Sequence, residues 1–336
     1  MVIEGGYLRD ILAQPRALED TLAGLERGTW AEKPFERAVL TGMGGSYWAL
    51  HPLHLDLLQR GWDSVLMETS ELIHVLPSLL DSRTLLIAVS QSGRSAEIVR
   101  LMEVKKPDCF TVAITNTPDS PLALRANAVV LTHAGVEFTV SCKTYVATLM
   151  ALKWVADLLA GRDLDRSEKE LSHAAPAVAA YLERWRDHVE AAIAELSGAR
   201  RLFYLGRGTS LAAAGTAGLI TKESAHFHAE GMSAAAFRHG PMEMLDASLY
   251  ALVFAGDAAT AGLNRRLAAD IVAEGARAAL AGEDAEPGLF RLPRVPASVR
   301  PIVEILPVEM MTLALAELSG REAGKFERAT KVTETE

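Results

Sequence analysis

The chain has 336 residues, 49% of them hydrophobic, a length that buries a large core and favours two domains. Its formal net charge of −9 argues against a nucleic-acid surface, so an anionic ligand must be drawn by a local site rather than by the overall field. Apolar runs are broken by charge before they reach membrane-spanning length, and the start, with Glu4, Arg9 and Asp10, lacks the basic-then-apolar design of a signal peptide. The two cysteines, Cys109 and Cys142, suit reduced thiols, and the expected location is cytoplasmic.

Residues 5–27 read as an amphipathic helix interrupted near Pro15, within an N-terminal helical segment 1–36. A regular alternation follows. A strand at 37–41 leads into Gly42-Met43-Gly44-Gly45-Ser46 and a helix at 47–60. Further strands are predicted at 65–68, 84–89, 109–115 and 128–132, separated by helices at 71–80 and 96–103 and a helical turn at 121–126. A long apolar helix, 143–159, closes the series. Five short β-branched strands separated by helices predict an α/β fold with a doubly wound parallel sheet over 37–162.

One junction carries most of the chemistry. The apolar run 84–89 ends in Ser90-Gln91-Ser92-Gly93-Arg94-Ser95, and helical spacing resumes at Ala96. A strand-to-helix turn presents backbone N–H groups and the positive end of a helix dipole at one point, which suits a phosphate. Three serines add hydroxyls, and Gly93 lets the backbone approach closely. The competing reading is an ordinary serine cap, but three hydroxyls and an amide in six residues exceed what a cap needs.

Residues 163–198 form a helical connector rich in Ala, Glu and Arg, and then the pattern restarts. Arg201-Leu202-Phe203-Tyr204-Leu205-Gly206-Arg207-Gly208-Thr209-Ser210 echoes the segment from Arg37 to Ser46, so a second α/β domain of the same kind is predicted over 199–325. Its counterpart of the serine turn, Gly256-Asp257-Ala258-Ala259-Thr260, lacks the serines and carries an acid. The second copy is therefore expected to contribute something other than an anion cradle. A charged tail, 326–336, contains Lys331 and by itself reads as a frayed terminus.

Other motifs are weaker alone. The Gly-x-Gly loops invite a dinucleotide reading, but Tyr47 and Leu211 occupy the position that needs a third Gly or Ala. Glu223 emerges from an apolar helix, where a carboxylate suits a general base, while a solvated helix end competes with that reading. His226 and His228 have no third ligand at zinc spacing, so no metal is expected. His239, before Gly240-Pro241, sits on a chain reversal with its ring free to reach a cleft, and a structural role competes there too.

Taken in order, Gly44-Gly45-Ser46, Ser90-Gln91-Ser92-Gly93-x-Ser95, Glu137-x-x-Val140-Ser141, Leu205-Gly206-Arg207-Gly208, Lys222-Glu223, His228-Ala229-Glu230, Arg238-His239-Gly240-Pro241 and Lys331-Val332-Thr333 resemble the sugar isomerase (SIS) family in its tandem-domain form. The set looks most like the isomerase half of glucosamine-6-phosphate synthase and stand-alone deaminases and isomerases of that family. The resemblance implies two flavodoxin-like domains and a sugar phosphate ligand, held by Gly44, Gly45, Ser46, Ser90, Gln91, Ser92 and Ser95, with Val140 and Ser141 on the sugar. It implies Glu223 as the base between C1 and C2, and His239 as the ring-opening group, donated across a homodimer. Lys331 would be the lysine that closes over the sugar. No cofactor, metal, nucleic acid or membrane is implied.

Departures from the synthase bear on the reaction. Ile220 stands where the synthase has a further lysine, Thr216 where it has a Glu, and Lys143 lies one place before its loop lysine. No glutamine-hydrolysing domain or N-terminal cysteine nucleophile is expected. The resemblance therefore implies aldose–ketose isomerisation of a sugar 6-phosphate, most readily with deamination of an amino sugar phosphate. A plain isomerase, a sugar-amine phosphate deglycase and a non-catalytic phosphosugar sensor are the competing functions.

Overall fold

The computed structural model describes residues 3–333 and 335, and among them nine strands form two all-parallel sheets. In the first sheet the strands are β1 Arg37–Gly42, β2 Asp63–Glu68, β3 Thr84–Val89, β4 Phe110–Thr115 and β5 Ala128–Leu131, in the order β2-β1-β3-β4-β5. The continuous apolar run of β3 is explained by its place: it is central, pairs with β1 and β4, and is buried at every position. The second sheet contains β6 Arg201–Gly206, β7 Ala229–Ser233, β8 Leu249–Phe254 and β9 Arg277–Ala281, in the order β7-β6-β8-β9. Both are the doubly wound parallel arrangement predicted from the alternation of strands and helices.

The duplication holds in register. Arg37 lies opposite Thr84 in the first sheet and Arg201 opposite Leu249 in the second, so β1 corresponds to β6 and β3 to β8. β7 and β9 stand where β2 and β4 stand in the first sheet, but the sequence pattern predicts no strand at either. The sequence of β9, Arg-Ala-Ala-Leu-Ala, favours helix locally, but pairing along β8 overrides it. β7 contains Gly231, whose backbone lies against the helix Leu211–Ala225; a Cβ there would come within 1.9 Å of the Ala214 carbonyl oxygen. Small residues along 212–218 allow that close approach.

The chain divides into two compact units. One comprises Arg16–Glu137, Lys143–Ser172 and the tail from Arg328; the other comprises the chain up to Pro15, Phe138–Cys142 and His173–Glu327. The core of the first contains Val39, Leu86, Ala88, Ile98 and Leu101, and that of the second Phe203, Leu205, Phe237, Ala251 and Val253. Among the described residues no helix is long and apolar enough to cross a membrane. Cys109 and Cys142 are both buried and form no disulfide, and burial pushes the Cys109 thiol up to about 11.

Candidate functional site

In a parallel sheet of order 2-1-3-4-5, the connections leave β1 and β3 in opposite directions and open a crevice at their carboxyl ends, where ligands bind. The two loops that border this crevice are Gly42–Ser46 and Ser90–Ser95. Each is shaped by glycine. Gly44 has φ +54° and Gly93 has φ +60°; a Cβ on Gly93 would come within 2.2 Å of Ser120 Oγ. A Cβ on Gly42 would meet Ser46 Cβ and the Val89 carbonyl oxygen at 3.0 Å, so this glycine holds the first loop close against β3.

The serine turn is pinned from below. The Gln91 carbonyl accepts from the Asn116 N–H and from the hydroxyls of Thr115 and Thr117, at 3.1 to 3.3 Å, which anchors the turn to the end of β4. Ser90 Oγ accepts from the Gly93 N–H at 3.1 Å and Ser92 Oγ from the Arg94 N–H at 3.2 Å, so each hydroxyl keeps its own proton for a ligand oxygen. Ser95 is the N-cap residue of the helix Ala96–Val104, yet its side chain makes no capping bond. By contrast, Ser120 at the start of Pro121–Arg125 caps in the ordinary way, accepting from the Ala123 N–H at 3.2 Å. The cap reading of the serine turn therefore fails at Ser95, the one serine placed to cap.

Lys331 and its neighbours belong to the same unit. The Ala96 N–H, first in the helix after the serine turn, donates to the Thr333 carbonyl at 3.0 Å, which brings the tail onto that helix N-terminus. Lys331 Nζ donates to the Glu137 carbonyl oxygen at 2.8 Å and to its Oε2 at 3.3 Å. Glu137 in turn accepts from the Thr144 N–H at 3.0 Å and the Thr144 hydroxyl at 2.6 Å, at the start of the helix Lys143–Leu159. Glu137 opens the motif Glu137-x-x-Val140-Ser141, and nothing in its spacing from Lys331 signals the pairing. Lys143, the shifted lysine, is buried and donates to the Val136 carbonyl.

The remaining predicted residues lie in the second unit. Val140 is buried and Ser141 half-buried within Phe138–Cys142. That segment is held by the Asp10 carboxylate, which accepts from the Phe138 N–H, and by the Thr139 hydroxyl, which donates to the Gly324 carbonyl. The Gly324 N–H donates to the Ser224 carbonyl at 2.9 Å, one residue beyond Glu223. A chain of bonds thus ties the Val140–Ser141 segment to the helix end that bears Glu223, which is half-buried on the last turn of Leu211–Ala225. His239 is exposed on the reversal before Gly240, whose φ of +127° only glycine adopts freely. His226 is the left-handed cap of the Glu223 helix, and its Nδ1 lies 3.0 Å from Arg321 Nη1, which gives it a structural partner.

The second switch point is built differently. Between the end of β3 and the next helix lie six residues, 90–95, whereas between β8 and the helix Ala258–Ala273 lie three, 255–257. Ser210, the counterpart of Ser46, is fully buried and donates to Glu304 Oε1 at 2.6 Å. Asp257 pairs with Arg300, and Arg207 Nε donates to Asn264 Oδ1 at 3.1 Å. Ser210, Asp257 and Arg207 are thus each bonded to a neighbouring side chain of the same unit.

Two copies of one doubly wound parallel α/β unit, the first carrying a serine turn at its switch point and the second not, define the class of this protein. The SIS domain matches residues 35–157 and 195–279, and the chain belongs to the SIS domain family. It is 33% identical over 343 residues to glutamine–fructose-6-phosphate aminotransferase [isomerizing] of Pyrococcus horikoshii, covering 95% of this chain and 56% of that protein. The chain thus spans little more than half the length of this relative. Among solved structures it resembles the C-terminal domain of glucosamine-fructose-6-phosphate aminotransferase from Francisella tularensis, with TM-score 0.85 and 21% identity, covering 94% of this chain and 97% of that one. It also resembles glucosamine-6-phosphate deaminase from Thermotoga maritima, with TM-score 0.81 and 17% identity over 98% and 100% of the two chains.

Proposed function

We propose that this protein is a phosphosugar enzyme that interconverts aldose and ketose forms of a sugar 6-phosphate, with deamination when the substrate is glucosamine 6-phosphate. The observation that carries the reading is the serine turn at the β1/β3 switch point, where Ser95 holds an N-cap position without capping. Its hydroxyl, those of Ser90 and Ser92, Ser46 and the helix dipole form a handle for a phosphate dianion, with Gly44, Gly45 and Gln91 shaping the loops. Val140 and Ser141 are assigned to the sugar.

The chemistry follows from carboxylate, imidazole and ammonium groups. His239, supplied by a second copy in a homodimer, moves the proton that opens the pyranose ring. Glu223 removes the C2 proton of the open-chain amino aldose, giving an enolamine, and returns a proton to C1. The resulting C2 imine is hydrolysed by water to the ketose phosphate and ammonia. Lys331, held on Glu137, caps the anionic intermediate. For a substrate with a hydroxyl at C2 the same proton shuttle ends at the ketose, and no ammonia leaves.

Offering glucosamine 6-phosphate, fructose 6-phosphate and fructosamine 6-phosphate separately, with ammonia and ketose as readouts, tests this reading. Ammonia and fructose 6-phosphate from the first substrate support the deaminase. Isomerised sugar without ammonia supports a plain isomerase, and turnover of fructosamine 6-phosphate alone a deglycase. Binding without turnover, unchanged in Glu223→Gln, would leave a phosphosugar sensor.

A further inference from the structure

We infer that the second domain carries its own small-molecule site, distinct from the serine cradle, which takes a small hydroxylated oxyanion through Arg265, Arg300 and Glu304. A cavity of about 330 Å³ opens beyond the carboxyl ends of β8 and β9, lined among others by Arg265, Arg300, Glu283, Asp284 and Glu304. Asp284 is paired with Arg294, while Glu283 Oε1 is buried without a hydrogen-bond partner and so calls for a second ligand hydroxyl. That volume falls in the range of small-ligand pockets, and the place is where open parallel sheets bind ligands.

The lining is polar in a directed way. Glu304 is 1% exposed; its Oε1 accepts from Ser210, but its Oε2 is buried and has no hydrogen-bond partner. A buried carboxyl oxygen left unpaired costs stability unless something in the cavity bonds it. Burial pushes this carboxyl up to about 7, against the opposing effects of the Ser210 bond and Arg300, so near neutral pH it can accept from or donate to a hydroxyl. At the rim Arg265 is exposed, and Arg300 spends one nitrogen on Asp257. The helix Ala258–Ala273 adds its positive end, with Ala258 on the cavity wall. A ligand with hydroxyls directed at Glu304 and Glu283 and an oxyanion directed at the two guanidiniums satisfies all of these groups.

Phosphate and carboxylate share this oxyanion chemistry, so three probes separate the sources: fructose 6-phosphate, gluconate and inorganic phosphate. Hydrogen exchange of the whole protein reads two segments at once, residues 90–100 for the serine cradle and residues 255–265 with 300–304 for the second site. The expected result is slowed exchange in the second pair with fructose 6-phosphate, gluconate or both, and whichever acts identifies the anion. Arg265→Ala should raise the half-saturating concentration for that protection at least tenfold while leaving protection of 90–100 unchanged. Glu304→Gln, which keeps the side-chain volume, should weaken it several-fold. Protection confined to 90–100, protection by inorganic phosphate equal to the other probes, or protection unaltered by Arg265→Ala would each overturn the assignment. Loss of protection at 90–100 alone would instead count against the serine cradle.

Discussion

Lys331 directs its ammonium at both the carbonyl and the carboxylate of Glu137, a residue 194 positions earlier whose side chain is 1% exposed. That carboxylate also accepts two bonds from Thr144, so one acid fastens the start of the helix Lys143–Leu159 and the tail together. Glu137→Gln removes the charge that Lys331 meets, and a hydrogen bond to a charged group is worth about 1.5–3 kcal/mol. We expect a lower melting temperature and faster proteolytic cleavage within the tail. Lys331→Met should lower kcat by two orders of magnitude or more under the proposed role. Unchanged turnover in Lys331→Met would remove the lysine from the chemistry and leave it as a tether.

Ser95→Ala and Ser120→Ala should behave oppositely although both residues begin helices. A capping serine replaced by alanine costs about 1 kcal/mol of stability, and Ser120 makes such a cap. Ser95 makes none, so its replacement should leave the melting temperature within a degree or two of the parent while raising KM for phosphorylated sugars tenfold or more. Equal loss of binding for phosphorylated and unphosphorylated sugars in Ser95→Ala would contradict the phosphate assignment.

Gly231→Ala tests the packing that carries the proposed base. The added methyl would fall 1.9 Å from the Ala214 carbonyl, so the Leu211–Ala225 helix would have to move off β7. Overpacking of this kind costs roughly 1–3 kcal/mol and sometimes more. Denaturant unfolding should show that loss, and any folded protein should have reduced kcat because Glu223 rides on the displaced helix. A variant as stable as the parent would show that the contact relaxes freely.

Glu304 gives the unliganded protein a pH dependence of defined sign. Burial raises its folded-state pKa from 4.5 to about 7. Below 4.5 the group is protonated folded or unfolded and contributes nothing. As pH rises through the window 4.5–7 the unfolded chain ionises first, so stability falls, reaching its full deficit above 7. The deficit is roughly 3 kcal/mol, since each pKa unit corresponds to about 1.4 kcal/mol. Glu304→Gln should flatten this part of the stability profile in chemical denaturation at pH 5, 6, 7 and 8; a slope identical to the parent's would mean the carboxyl is ionised in the native state.

Much of the fold is visible along the sequence because the buried strands are nearly pure apolar runs: Thr84–Val89 could lie nowhere but inside a sheet. The serine turn is legible for the same reason, its polar residues standing directly against that run. β7 and β9 are hidden because their strand character comes from neighbours: Gly231 from the helix pressed on it, and Arg277–Ala281 from β8. The Glu137–Lys331 pair and the Ser210–Glu304 bond are equally hidden, since each joins residues far apart in sequence that show no local pattern. Glu223, His239 and Lys331 stand out only through family resemblance; composition around them is that of ordinary helix ends, turns and tails.

The difference between six residues after β3 and three after β8 has a further consequence. Point substitution can place serines at 255–257, but it cannot supply the missing length of chain, and the Ser210 hydroxyl is already committed to Glu304. Under the proposed function, then, the two halves differ in role through backbone length, which the exchange of single side chains cannot easily reverse.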